Sequence, residues 1–384
     1  MYFLGIHDGH QSGASLFFKN KIICAISEER LSRKKNEYGF PKKSIEFCLN
    51  KAGIKKKDIK NVAVSTKFLP PKYFMVKRNT NFSVKDYKKE QNHYWWPIFY
   101  QNKKKKYLEV FKDKIVKNQI YDFKKLKDED DIVGMQKIRK NAISKFLDIS
   151  KDKIFFYDHH FCHANYAYYS CPEKKKLTHI FTCDGGGDKT NGSIWKVKDN
   201  KLVNLYRTNK ADIGRIYRYA TLFLNMKPSE NEFKVMGLAG YSQINSQKNL
   251  ELTKKYFEIL DIKGIKFYYK KKIKDLYFYF KKINKNYRFD TQAFAVQHFT
   301  EQILLKWFFN SQKKYKFSNI AFAGGVAQNI KSIKYIMENT AIKYFYVPPG
   351  ASDESLSIGA IYSHLSILGI YKSLSNLSNP YLGV

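Results

Sequence analysis

The sequence predicts an α/β fold built from two copies of one unit. Short runs rich in β-forming residues alternate with helix-like segments along most of the chain. A strand, an Asp-Gly loop and two further strands open the chain, and the same series recurs from His179. The 384 residues, 43% hydrophobic and 16% aromatic, are enough for two domains with a sizeable core.

In order, residues 2–6 form a short apolar strand, followed by the loop Asp8-Gly9-His10-Gln11-Ser12-Gly13. Residues 14–18 make a second strand, Lys19-Asn20-Lys21 a turn, and residues 22–26 a third strand. A helix is expected over 43–52, ended by Gly53 at the position where a left-handed residue stops a helix. Residues 61–66 read as another strand. Residues 70–130 break the order: Pro70-Pro71, the patch His93-Tyr94-Trp95-Trp96, the lysines 103–106 and the acidic 128–131 share no period. This stretch is expected to be an inserted, partly helical excursion that caps a cleft. Basic residues interleaved with aromatics also suit base stacking, but an ordinary amphipathic insertion is the preferred reading.

Order returns with a strand at 153–157 and a helix at 158–167. Residues 179–183 form a strand, Asp184-Gly185-Gly186-Gly187-Asp188 a glycine loop, and 192–197 and 202–206 two more strands around Asp199-Asn200. Asp8-Gly9 matches Asp184-Gly185, and Ala14-Ser15-Leu16 matches Gly192-Ser193-Ile194. Two such units describe the duplicated, ribonuclease H-like architecture of actin, heat-shock ATPases and sugar kinases, with two lobes facing across a nucleotide cleft. The lobes are expected at 1–175, including the insertion, and 176–384. Within the second, a helix carries Gln292, Val296 and Gln297 to about Phe309, and a strand at 320–322 meets Gly324-Gly325. A helix at 329–337, a strand at 343–347, the loop Pro348-Pro349-Gly350-Ala351-Ser352-Asp353, a helix through Ile358-Gly359-Ala360-Ile361 and a polar tail at 373–384 follow.

Seventy Lys and Arg against 34 Asp and Glu give a net charge of +36. Such a balance attracts polyanions. The lysines are nonetheless spread over the whole length, alongside abundant Asn, Ile, Tyr and Phe, as AT-rich coding produces. Nucleic acid is therefore not expected as a partner. No stretch has the ~18 uncharged apolar residues of a membrane helix, and no basic leader precedes the first strand. Five scattered cysteines without a CxxC pair suit the reducing cytoplasm and exclude a zinc ribbon.

The strongest chemical signal is His159-x-x-x-His163, because residues four apart on a helix stack on one face and can share a metal. A zincin needs Glu after the first His; here it is His160. Asp184 and Asp353, each in a loop at a strand end, supply hard oxygens for a His₂Asp₂ site suited to iron or manganese. Turn formation or helix capping are their alternative uses. Four glycine-bearing turns are candidate phosphate cradles: 8–13, 184–187, Gly324-Gly325 and 349–352. None is a P-loop or a GxGxxG fingerprint. Lys234, beside Gly237 in Glu232-Phe233-Lys234-Val235-Met236-Gly237-Leu238-Ala239, is placed to steady a phosphate or to face solvent. Cys162, between the paired histidines, reads as packing.

Six ordered motifs resemble one family. They are Gly5-Ile6-His7-Asp8-Gly9-His10, Glu28-Glu29-Arg30, Gly39-Phe40-Pro41, Asp158-His159-His160-x-x-His163-Ala164, the segment 232–239, and Gly324-Gly325-Val326-Ala327-Gln328-Asn329. Together they resemble the N-terminal region of the O-carbamoyltransferases, which include nodulation protein U and the antibiotic carbamoyltransferases. The resemblance implies that carbamoyl phosphate and ATP yield carbamoyl-adenylate in a C-terminal domain. The N-terminal region then passes the carbamoyl group to a hydroxyl of a small molecule or glycan. It implies that His159, His163, Asp184 and Asp353 bind Fe(II) or another divalent metal. Lys234, Gly237, Gly324, Gly325 and Asn329 would bind the nucleotide, and Asp8 and His10 would act at the acceptor or carbamoyl group. Gln11 stands where the family carries Asp or Asn. The chain stops near where the adenylate-forming domain would begin, which leaves a truncated product, one half of a split enzyme, or a transferase fed by a separate domain in trans as the expectations. A tRNA threonylcarbamoyl-transfer-like protein and an inactive nucleotide-binding remnant are the alternatives.

Overall fold

The computed structural model describes residues 1–117, 119–242, 246–370, 377 and 379–383; half of the tail at 373–384 lies outside them. Twelve strands are described: β1 (Tyr2–His7), β2 (Gly13–Phe18), β3 (Lys21–Ser27), β4 (Ile59–Ser65), β5 (Ile154–Tyr157), β6 (His179–Gly187), β7 (Thr190–Lys198), β8 (Lys201–Thr208), β9 (Leu260–Lys263), β10 (Lys266–Tyr269), β11 (Asn319–Ala323) and β12 (Tyr344–Tyr346). The first sheet has the order β3-β2-β1-β4-β5 and the second, read the same way, β8-β7-β6-β11-β12. In each, an antiparallel three-strand meander continues into two parallel strands. The duplication seen in the sequence is thus a duplication of topology, and the fold is the actin-like, two-lobe α/β arrangement.

Strand character follows position. Central β1 is buried from Phe3 to His7 because helices cover both faces, whereas β3, at the edge, alternates between buried and more exposed residues. Eight helices position the site: α1 (Lys42–Lys51), α2 (Ile132–Leu147), α3 (His159–Ser170), α4 (Ile213–Phe223), α5 (Glu232–Leu238), α6 (Phe289–Tyr315), α7 (Ile330–Glu338) and α8 (Leu356–Ile367). Gly53, with φ +63°, follows α1 as predicted.

Helices are exchanged between the halves. α3 packs on β6 and β11 of the second sheet, and α8 returns to β1 and β4 of the first. The two helices cross at Gly359, where an added Cβ would stand 2.3 Å from the carbonyl oxygen of Cys162. One apolar cluster therefore joins Phe3, Ala63, Tyr166, Ile180, Leu356 and Ile361 from both halves.

Three expectations need correction. Asp184–Gly187 is not a free glycine loop: β6 continues through a bulge to Gly187, which pairs with Thr190, and the turn falls at Asp188-Lys189. Gly186, at φ +124°, supplies the backbone angle that the bulge requires. Helix α6 runs on to Tyr315, and the hairpin β9–β10 lies in a stretch where no strand was expected. In the insertion the described residues form short helices and no strand. Its aromatics Phe82, Tyr87, Tyr94, Tyr107 and Phe111 are buried against Leu222 and Tyr277 of the second half. They make an apolar core rather than a base-stacking face.

Candidate metal and active site

Asp158 ends β5 and caps α3, its Oδ1 accepting the Phe161 N–H at 2.9 Å. This cap starts the helix at His159, so the His159 and His163 rings fall on one face with their Nε2 atoms 3.2 Å apart. Asp184, at the β6 bulge, brings Oδ2 to 3.3 Å from His159 Nε2 and 3.1 Å from His163 Nε2. Asp353, between β12 and α8, brings Oδ1 to 3.6 and 3.4 Å from the same nitrogens. One ligand atom from each of the four residues lies within 4.8 Å of every other. Metal–ligand bonds of about 2.1 Å give ligand–ligand edges of roughly 3.0–3.5 Å, so this cluster has the size of a coordination shell. Asp353 Oδ1 is buried without a hydrogen-bond partner, the condition of an acceptor that faces a cation. The residues present fit a divalent metal with mixed nitrogen and oxygen ligands.

The surroundings orient the ligands. Thr66 Oγ1 lies 2.9 Å from His159 Nδ1. Asp188 accepts the backbone N–H groups of Lys67, Phe68 and His159 at 2.8–2.9 Å, tying the β4 exit to the start of α3. His160 points away: Nε2 donates to the Thr190 carbonyl and Nδ1 accepts from Thr182, and burial holds it neutral. Burial opposes charge on His159, but Asp353 and Asp184 outweigh it and raise the imidazole to about 9. Burial likewise opposes charge on Asp184, and the two imidazoles hold it well below the usual carboxylate range. A cation entering the cluster therefore displaces protons.

The two residues expected at the acceptor part company. Asp8 is fully buried, its Oδ2 and Oδ1 taking Arg139 Nε at 2.9 Å and Nη2 at 2.6 Å, and Tyr121 donates to Oδ2 at 2.7 Å. It forms a buried ion pair with Arg139. His10 is different. Its Nδ1 is buried and unpartnered, burial lowers its pKa, and Asp353, Asp184 and Arg218 are close enough to act on it. His7 is spent on Ser65 and the His10 carbonyl and is depressed to about 4, chiefly by burial.

Of the expected nucleotide ligands, Gly324 and Gly325 lie beside the four-residue cluster. A Cβ at Gly324, φ +93°, would stand 2.3 Å from the Cys183 carbonyl, and one at Gly325 would stand 3.7 Å from Asp184 Oδ1 and 3.4 Å from Ser352 Oγ. The Gly324 N–H bonds the Ala351 carbonyl at 2.8 Å, stitching this turn to the Asp353 loop. Asn329 is committed to the protein: its Oδ1 caps α7 at Ser332 N and accepts from Gln297, while its Nδ2 donates to Gln297. Lys234 and Gly237 sit on exposed faces of α5, with open space around the glycine. Sequence reasoning missed Arg139, Thr66, Asp188 and Arg218. Only Asp188 carried a signal, as the second acid bracketing the glycine run.

A family profile described as carbamoyltransferase N-terminus matches residues 2–362. An uncharacterised protein of Methanocaldococcus jannaschii is 29% identical over 390 residues, covering 99% of this chain and 60% of that protein. Nodulation protein NolNO of Sinorhizobium fredii is 24% identical over 380 residues, covering 97% of this chain and 49% of that one. The chain thus spans about half to three-fifths of these relatives. Among solved structures, component A of the (R)-2-hydroxyglutaryl-CoA dehydratase of Acidaminococcus fermentans aligns with TM-score 0.47 and 12% identity, covering 96% of this chain and 99% of that one. The ADPNP-bound activator of the 2-hydroxyisocaproyl-CoA dehydratase from Clostridium difficile aligns with TM-score 0.46 and 14% identity, covering 99% and 100%.

Proposed function

The chain belongs to the carbamoyltransferase family, matched over the region described as its N-terminus, and from that premise we propose that it transfers a carbamoyl group from carbamoyl-adenylate to a hydroxyl of a sugar or secondary metabolite. The observation that carries this reading is the convergence of His159, His163, Asp184 and Asp353 from both halves beside the Gly324-Gly325 turn. When bound there, Fe(II) or another divalent ion supplies Lewis-acid polarisation of the carbamoyl carbonyl. His10 takes the proton of the acceptor hydroxyl on Nδ1, since a neutral imidazole with a free ring nitrogen is a competent base. The hydroxyl oxygen bonds the carbamoyl carbon, the bond from that carbon to the adenylate phosphate oxygen breaks, and AMP leaves. The Gly324-Gly325 turn receives the adenylate, and Asn329 fixes that turn through Gln297 and α7. Lys234 and Gly237 offer an open face to the nucleotide. An adenylate-forming domain acting on carbamoyl phosphate and ATP provides the donor, and the reaction runs in the cytoplasm. Among the described residues no helix is long and apolar enough to cross a membrane.

The test supplies carbamoyl-adenylate to the protein with Fe(II) and a panel of hydroxylated acceptors. The wild type is expected to release AMP in an acceptor-dependent way and His159→Ala to release none. Unchanged turnover in that variant removes the four-residue cluster from the mechanism.

A further inference from the structure

Arg218 occupies an unusual position for a cation. It lies on α4, whose first turn presses on the metal-bearing bulge: a Cβ at Gly214 would stand 3.0 Å from Gly185 N and 3.1 Å from the Asp184 carbonyl carbon. Four residues on, Arg218 shares that helix face about 6 Å further along the axis. Its Nη2 is buried and has no hydrogen-bond partner. Its guanidinium stands 5.5 Å from the Tyr87 ring, which brings the insertion against it.

Neither acid near it makes a hydrogen bond to the buried Nη2, although the Arg218 charge acts on Glu232. Glu90 binds Arg78 through Nε at 2.8 Å and accepts from Tyr107 at 3.0 Å. Glu232 accepts the Ser229 N–H at 2.7 Å. Leaving a buried guanidinium donor unmet is unfavourable, and contact with an aromatic face offsets it only in part. On the facing lobe, His10 Nδ1 and Gln11 Oε1 are also buried and unpartnered. Unmet polar atoms thus stand on both lobes, with Arg218 close enough to His10 for its charge to act on the imidazole, and the mixture is a donor cation, a base and an acceptor.

We propose that Arg218, backed by Tyr87 and facing His10, is a subsite for an anionic group, a carboxylate or a phosphate, carried by the hydroxyl-bearing acceptor. Guanidinium matches either group with paired N–H donors. The subsite rests on the transfer reading above and narrows the acceptor from any hydroxyl compound to an acidic one. Holding the anion at Arg218 brings a neighbouring hydroxyl to His10, so Arg218 positions the acceptor and determines specificity without taking part in the proton transfer.

The test is calorimetric titration of the full chain with glycerol, glycerate, glycerol 3-phosphate and AMP. At least one of the two acidic glycerol derivatives is expected to bind where glycerol does not, and the stronger one identifies the anion. Arg218→Gln is expected to weaken that binding at least about tenfold, Arg218→Lys to retain part of it, and the surface variant Lys282→Gln to leave it unchanged. Retained Fe(II) binding in each variant reports an intact fold. Acidic probes that bind no better than glycerol, an Arg218→Gln variant that binds them like wild type, or a loss confined to AMP each overturns the subsite. Because binding is read without turnover, these outcomes leave the transfer reading standing, and failed transfer leaves the subsite standing.

Discussion

Arg139 and Asp8, both fully buried, meet through two hydrogen bonds across 131 residues of sequence. Removing one partner of such a pair strands a charge away from water, at about 3–5 kcal/mol. Asp8→Asn is therefore expected to lower the unfolding free energy by that order in denaturant titration while leaving the four-residue cluster able to bind metal. A near-neutral effect on stability would show Asp8 to be solvated and available for chemistry after all. The residues differ sharply in how legible they were. His159 and His163 announce themselves because helical spacing alone places them together. Asp184 and Asp353 were readable as loop acids at strand ends. Asp8 was legible as a loop acid but its partner was not, because nothing in the sequence distinguishes Arg139, on an ordinary amphipathic helix, from the many cations around it. Arg218 was invisible for the same reason: its isolation is a property of its neighbours, not of its own segment.

Among the elements, the two meanders were legible because alternating β-forming runs punctuated by Gly and Asn turns leave few other options. The bulge that absorbs Gly185–Gly187 into β6 was not, since a glycine run reads equally as a loop. Nor was the exchange of α3 and α8, which depends on tertiary packing that no single segment encodes. That crossing carries a prediction. With backbone 2.3 Å from any Cβ at Gly359, Gly359→Val forces α8 away from Cys162, next to His163. Overpacking of this kind costs roughly 1–3 kcal/mol. The variant is expected to melt at a lower temperature and to bind Fe(II) more weakly than wild type. Unchanged melting and metal affinity would mean that the crossing does not hold the site.

For the whole molecule, the +36 charge says less than the buried histidines do. His7, His179 and His364 are depressed from 6.5 to about 4, chiefly by burial, so the folded protein keeps them neutral where the unfolded chain would protonate them. Their contribution is complete above pH 6.5 and is lost as the pH falls through about 4, because the unfolded state binds the extra protons. Stability should therefore fall from pH 6.5 to 4, and His179→Gln should flatten that dependence; an unaltered slope would show that His179 titrates normally. Joining the halves is what the duplicated fold accomplishes: one lobe's helix brings two imidazoles, and the other's loops bring two carboxylates. The most direct measurement is anaerobic equilibrium dialysis of the chain against Fe(II), with the bound metal quantified. One ion per wild-type chain, absent from both His163→Ala and Asp353→Ala, is the predicted result. A wild type that retains no ion, or variants that retain it equally, would contradict the account.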